Sequence, residues 1–121
     1  MSKQVAETLE KARALMNSGG KHWTKGAFKS TKDGEPCYCA VGALLETARI
    51  DDPNSLELDS LGGACLNKLS AALPRTADRS FRSTADRVVC YNDATHRRWK
   101  HIDNLFKRAI KLALDADSTA V

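Results

Sequence analysis

The feature that most limits what this chain can become lies near its C-terminus. Trp99, Ile102, Phe106, Ala109, Ile110 and Ala113 recur at helical spacing, while Arg97, Arg98, Lys100, Lys107, Arg108 and Lys111 occupy much of the remaining surface. The pattern predicts a long amphipathic helix over roughly residues 95 to 115, with basic later turns that suit the negative end of its dipole. Such a helix needs a second apolar surface to cover its stripe. The N-terminal segment offers one: Val5, Leu9, Ala12 and Met16 fall at steps of four, three and four, behind Ser2 as a cap and ahead of the stop Asn17-Ser18-Gly19-Gly20. The closing helix is therefore expected to pack on the first.

Between these two helices the period changes. Trp23, Phe28, Tyr38 and Cys39 flank Lys32-Asp33-Gly34-Glu35, which reads as a short hairpin bent at Asp33-Gly34. From Cys39 to Arg49 the residues are helix formers with Val41, Leu44, Leu45 and Ala48 on one face, and Asp51-Asp52-Pro53 ends that helix. Leu58, Leu61, Cys65, Leu69 and Ala72 again follow helical steps, so a helix is expected between Pro53 and Pro74. Gly62-Gly63 inside it marks a kink, a late start or a tight contact. Thr76-Ala77-Asp78-Arg79 recurs as Thr84-Ala85-Asp86-Arg87, too short a duplication for a repeat architecture, and either Thr could cap a helix through Val88-Val89. The fold class expected is mainly α (α+β), with four or five helices and a short β-hairpin. At 121 residues the chain has room for a single globular domain with a real core.

Charge and composition narrow the function classes. The formal net charge of +4 divides into +3 over residues 1 to 42, −3 over 43 to 73 and +4 over 74 to 121, a basic C-terminal half beside an acidic middle. There is nothing near the roughly 20 apolar residues of a membrane span. Lys3, Glu7, Glu10, Lys11 and Arg13 stand where a signal peptide would be apolar, so a cytoplasmic protein without a membrane partner is expected. Cys37, Cys39, Cys65 and Cys90 lack zinc spacing, and His22, His96 and His101 are scattered, so the thiols read as small core side chains and no metal or cofactor is expected. No glycine-rich phosphate loop occurs, since nothing after Gly19-Gly20 supplies Gly-Lys-Ser/Thr.

Four segments in order carry a resemblance. Trp23-x-x-Gly26-Ala27-Phe28, then Asp33-Gly34, then Cys39-Ala40-Val41-Gly42-Ala43-Leu44, then Tyr91-Asn92-Asp93-Ala94 ahead of a closing helix resembles the uncharacterised small proteins shared by actinobacteria and their phages. The resemblance runs from near Val5 to near Leu114, departing at Tyr91, where Trp is usual, and at Cys37, an extra thiol. It implies an actinobacterial or phage origin and supplies no reaction.

The same segments hold the candidate chemistry. Cys39 would begin a helix, where the dipole and free N–H groups can depress a thiol pKa; with His22 or His96 and Asn92 or Asp93 it could form a cysteine hydrolase, or it could simply be a core residue beside Gly42 and Ala43. Asn92-Asp93, two short polar residues before a helix, read either as caps or as ligand anchors. In the second case Trp23 or Tyr91 would stack on a flat ring while Arg97 or Arg98 meets a phosphate at the helix start. A nucleic-acid reading uses Arg75, Arg79, Arg82, Arg87, Arg97, Arg98 and Lys100, a stretch interrupted by Asp78, Asp86, Asp93 and Asp103 and lacking any known nucleic-acid-binding signature. The function expected is a non-catalytic accessory protein binding a small anionic, nucleotide-like ligand or a host protein. Its ligand set is Trp23, Cys39, Tyr91, Asn92, Asp93, Arg97 and Arg98, provided these meet around one recess; the oligomeric state stays open.

Overall fold

The computed structural model of the chain describes residues 2–17, 19–77 and 83–119, with side chains in the last helix described as far as Asp115. Helix α1 (Ser2–Met16) buries the expected stripe of Val5, Leu9, Ala12 and Met16 together with Ala6. Ser2 is the first residue inside the helix rather than its cap. Gly19 and Gly20 follow with φ of 69° and 85°, left-handed backbone that glycine adopts at little cost.

Helix α6 (Trp99–Thr119) starts later and ends later than the periodicity predicts. It buries Ile102, Leu105, Phe106, Ala109 and Ala113. Its packing on α1 is the most extensive between any two elements. Burying a large apolar side chain contributes about 1.5–3 kcal/mol, so Ile102, Leu105 and Phe106, none of them exposed, supply most of what α6 gains from burial. Across its rim Arg13 Nε donates to Asp103 Oδ1 at 2.6 Å, and Lys107 Nζ reaches the other carboxylate oxygen at 3.2 Å.

Strands β1 (Lys29–Lys32) and β2 (Glu35–Tyr38) pair antiparallel, with Lys32 opposite Glu35. Asp33 and Gly34 both have positive φ, 52° and 79°, as a type I′ turn requires. The outer part of the hairpin is exposed, and only Cys37 and Tyr38 enter the core. There the chain doubles back: Tyr38 N donates to His22 O at 2.8 Å and Thr24 N to Tyr38 O at 3.0 Å, which draws residues 22–24 alongside β2.

Helix α2 (Ala40–Ala48) is capped by Cys39 and closed by Arg49 at φ 58°. The single helix expected between Pro53 and Pro74 is two. Asp52 caps α3 (Pro53–Leu58) by accepting from Ser55 N, the backbone turns extended at Asp59, and Asp59 in turn caps α4 (Ser60–Ala72) through Gly62 N. The paired glycines serve both the fresh start and a close approach: a Cβ on Gly62 would lie 2.5 Å from Leu56 Cδ1, and one on Gly63 2.6 Å from Glu57 O. The break also takes Leu58 off the apolar face, leaving it 88% exposed.

Helix α5 (Thr84–Asp93) is capped by Ser83, not by Thr76 or Thr84. The Asp78-Arg79 part of the duplication lies outside the described residues. Among the described residues six helices and one hairpin make the protein mainly α, and one buried cluster draws on each of those helices. Among the described residues no helix is long and apolar enough to cross a membrane.

Candidate functional site

The last turn of α5 brings Tyr91, Asn92 and Asp93 beneath the loop 23–28 and against the start of α2. The expectation that Asn92-Asp93 precede and cap the closing helix is corrected here: they are helical residues of α5, and α6 begins only at Trp99. Asn92 is fully buried. Its Oδ1 accepts from Trp23 Nε1 at 2.8 Å and from Ala40 N at 3.1 Å, while its Nδ2 donates to Thr24 O and to Asp93 Oδ1, both at 3.0 Å. An amide has two donors and two acceptor lone pairs, so this side chain is fully satisfied. Asp93 Oδ1 also accepts from Gly26 N at 3.1 Å.

Cys39 completes the latch. Its backbone N donates to Phe28 O at 3.2 Å, and its Sγ accepts from Gly42 N at 3.3 Å as the helix cap. Gly42 is obligatory at this crossing, because a Cβ there would lie 1.7 Å from Phe28 O. The thiol is 1% exposed, and burial pushes its pKa up; the Gly42 and Val41 N–H groups pull it down, and the nearby Asp93 charge raises it further. The expected depressed pKa is thus reversed, since desolvation outweighs the helix start. His22 sits 3.7 Å from Glu35, His96 stands in the exposed turn before α6, and neither hydrogen bonds to Cys39.

The aromatic rings expected to stack on a ligand are already engaged. Trp23 packs against Trp99 with ring centroids 6.5 Å apart, and the Lys25 ammonium lies 5.6 Å from its ring. Tyr91 is buried beneath the Arg97 guanidinium, whose central carbon stands 3.6 Å from the ring centroid; Arg97 Nε also donates to Tyr91 O at 2.7 Å. Of the seven predicted residues, Trp23, Cys39, Asn92 and Asp93 are brought together as a latch, Tyr91 and Arg97 as a neighbouring pair, and Arg98 is exposed at the start of α6.

Two openings flank this network. One, of about 330 Å³, is lined by Gly26, Ala27, Phe28, Cys39, Val89 and Asp93. The other, of about 260 Å³, is formed by Thr95, His96, Arg97 and Arg98. Lys25 Nζ donates to the carbonyls of Ala94 and Thr95 at 2.9 and 3.4 Å, which sets a further cation beside the second opening. Among the described residues Lys25, Arg97, Arg98 and Lys100 form no ion pair. His101 Nδ1 accepts from Arg98 N at 2.9 Å, and slight burial with the charges of Arg97 and Lys100 holds this imidazole below its ordinary pKa, which suits an acceptor. Sequence reasoning missed Lys25 and His101. His101 reaches back to the Arg98 N–H as the Glu or Gln of a capping box does, but neither Arg98 nor His101 is a residue type of that pattern, so the sequence does not flag it; Lys25 meets its partners across a separation of about seventy residues and leaves no local signal.

The chain matches the family of unknown function DUF6197 over residues 1–112, and it belongs to that family. No curated protein and no solved structure matches it.

Proposed function

We propose that this member of DUF6197 is a non-catalytic binding protein that holds a small anionic, nucleotide-like ligand by its phosphate at the turn preceding α6. One observation carries the reading: Lys25, Arg97, Arg98 and Lys100 lie on or beside a turn that forms a recess, and no carboxylate pairs with any of them among the described residues. Unneutralised cations around a concavity attract an anion, and guanidinium groups match phosphate oxygens in two-point geometry. Arg97 commits only Nε to the Tyr91 carbonyl, which leaves its terminal nitrogens for a ligand, and Arg98 is exposed. Because Trp23 and Tyr91 are covered, the phosphate rather than the base is what the site recognises.

The resemblance through Trp23, Gly26, Cys39, Gly42 and Asn92 supports an actinobacterial or phage source. The raised thiol pKa and the absence of a histidine bonded to Cys39 among the described residues weigh against a cysteine hydrolase. The nucleic-acid reading shares the cations of this turn, but Arg79 and Arg82 lie outside the described residues.

Thermal unfolding with inorganic phosphate, AMP, ADP and ATP tests the proposal. A ligand present at one hundred times its Kd adds about 2.7 kcal/mol of stability. A dose-dependent rise in melting temperature that Arg98→Ala abolishes is expected. No rise at millimolar concentration of any of the four overturns the reading. Binding to mixed-sequence DNA that falls steeply with salt would replace it with the nucleic-acid one.

A further inference from the structure

The latch residues hold one object in place, the loop from Trp23 to Phe28. Thr24 is fixed twice, by N–H to Tyr38 O and by its carbonyl on Asn92 Nδ2; Gly26 N is held by Asp93; and the Phe28 carbonyl is seated on Cys39 N, over the missing side chain of Gly42. At the end of this pinned loop Phe28 is left 40% exposed. An aromatic ring carried on a restrained backbone is a preorganised anchor, since little ordering entropy remains to be lost when something packs on it.

Phe28 divides two concavities. One is the 330 Å³ opening, lined also by Ala27, Cys39, Val89 and Asp93. The other is an opening of about 190 Å³, lined also by Tyr38, Leu45, Ile50, Glu46 and Asp51. Glu46 and Asp51 are exposed and form no ion pair among the described residues, whereas the one cation there, Lys29, lies over the Tyr38 ring at 5.8 Å. Largely apolar linings that share Phe28, with Asp93 in one opening and Glu46 and Asp51 in the other, call for apolar side chains accompanied by positive charge.

We infer that the cleft straddling Phe28 docks a segment of a partner protein that carries apolar side chains interleaved with lysine or arginine. This surface is separate from the cationic turn before α6 and does not depend on the anion reading. The chain's own exposed Leu112 and Leu114, beside Lys111, define the competing occupant, a second copy.

The test uses the full chain and a short fluorescein-labelled peptide of alternating lysine and leucine, with an alternating glutamate–leucine peptide as control, read by anisotropy. The cationic peptide is expected to bind saturably and at least about tenfold more tightly than the acidic one. Phe28→Ser removes the binding while leaving the melting temperature and any phosphate-induced shift unchanged. The double variant E46K/D51K inverts the peptide preference. Failure of the cationic peptide to bind, equal binding of both peptides, or binding undiminished by Phe28→Ser overturns the inference. So does self-association in sedimentation velocity that Phe28→Ser abolishes, because the occupant is then another copy of this chain.

Discussion

Replacing Asn92 by Ala probes the latch most directly. The substitution leaves two donors, Trp23 Nε1–H and Ala40 N–H, without their acceptor, and frees the Thr24 carbonyl. Each orphaned buried group costs about 1–3 kcal/mol. Ala40 is fully buried and Trp23 partly so, which places the expected loss at about 3–4 kcal/mol. For a chain of this size that lowers the melting temperature by roughly 10–20 °C. Guanidinium unfolding followed by tryptophan emission is a suitable assay, because the only two tryptophans, Trp23 and Trp99, pack together beside the latch. Asn92→Asp supplies the contrast. It keeps an oxygen for Trp23 and Ala40 but turns a second one against Thr24 O and Asp93 Oδ1, where burial and like charge raise the pKa of the new carboxyl. The new carboxyl's own contribution is therefore fully present below the ordinary aspartate range and is lost as pH rises through that raised folded value, a difference read against the unsubstituted chain. A loss below about 1 kcal/mol for Asn92→Ala, with an unchanged denaturant slope, would refute the view that this amide holds the loop to the helices.

Gly42→Ala pushes a methyl into the Phe28 backbone and should cost about 2 kcal/mol or more in thermal or denaturant unfolding, whereas Gly26→Ala, which meets open space at φ 79°, should cost only about 1 kcal/mol. Glu57 Oε1 accepts from Ala85 N, Ser83 Oγ and Thr84 Oγ1, which lowers its pKa, chiefly through the Ala85 N–H. Its contribution is present above the ordinary glutamate range and is lost as pH falls from there through the lowered folded value, so Glu57→Gln should flatten the acid limb of a stability–pH profile in urea. Iodoacetamide at neutral pH should label exposed Cys90 well before Cys39; labelling of Cys39 first, read by peptide mass mapping, contradicts the raised thiol pKa. Cys39→Ser keeps an oxygen cap for Gly42 N and should change stability by less than about 1.5 kcal/mol, a result checked in the same denaturant assay.

Local chemistry set much of this protein in advance. The apolar steps of α1 and α6 specify which faces are buried, because a helix presents every third or fourth residue to the same side. Asp33-Gly34 specifies the hairpin because few other pairs tolerate two positive φ values in succession. The helix expected over Cys39 to Arg49 is legible for the same kind of reason: the helix formers stop before Asp51-Asp52-Pro53, and the observed helix runs from Ala40 to Ala48 with Cys39 and Arg49 as its caps. The split at Asp59 is harder to see, since Leu58 fits the periodic stripe and loses its place only because Asp59 restarts the helix beneath Leu56.

The candidate site belongs to the other category. Asn92 looks like a cap from its neighbours alone, yet its partners Trp23, Thr24 and Ala40 lie between 52 and 69 residues away. Whether a buried amide finds four partners, whether Phe28 O lands on Gly42, and whether Arg97 covers Tyr91 depend on how α5 meets α2 and the loop. A repeating pattern along the chain records which side of an element faces inward; it holds no record of what stands opposite. The residue types of the latch could thus be read from the chain, but their use as struts, with Phe28 and the cations left outward, was decided by packing.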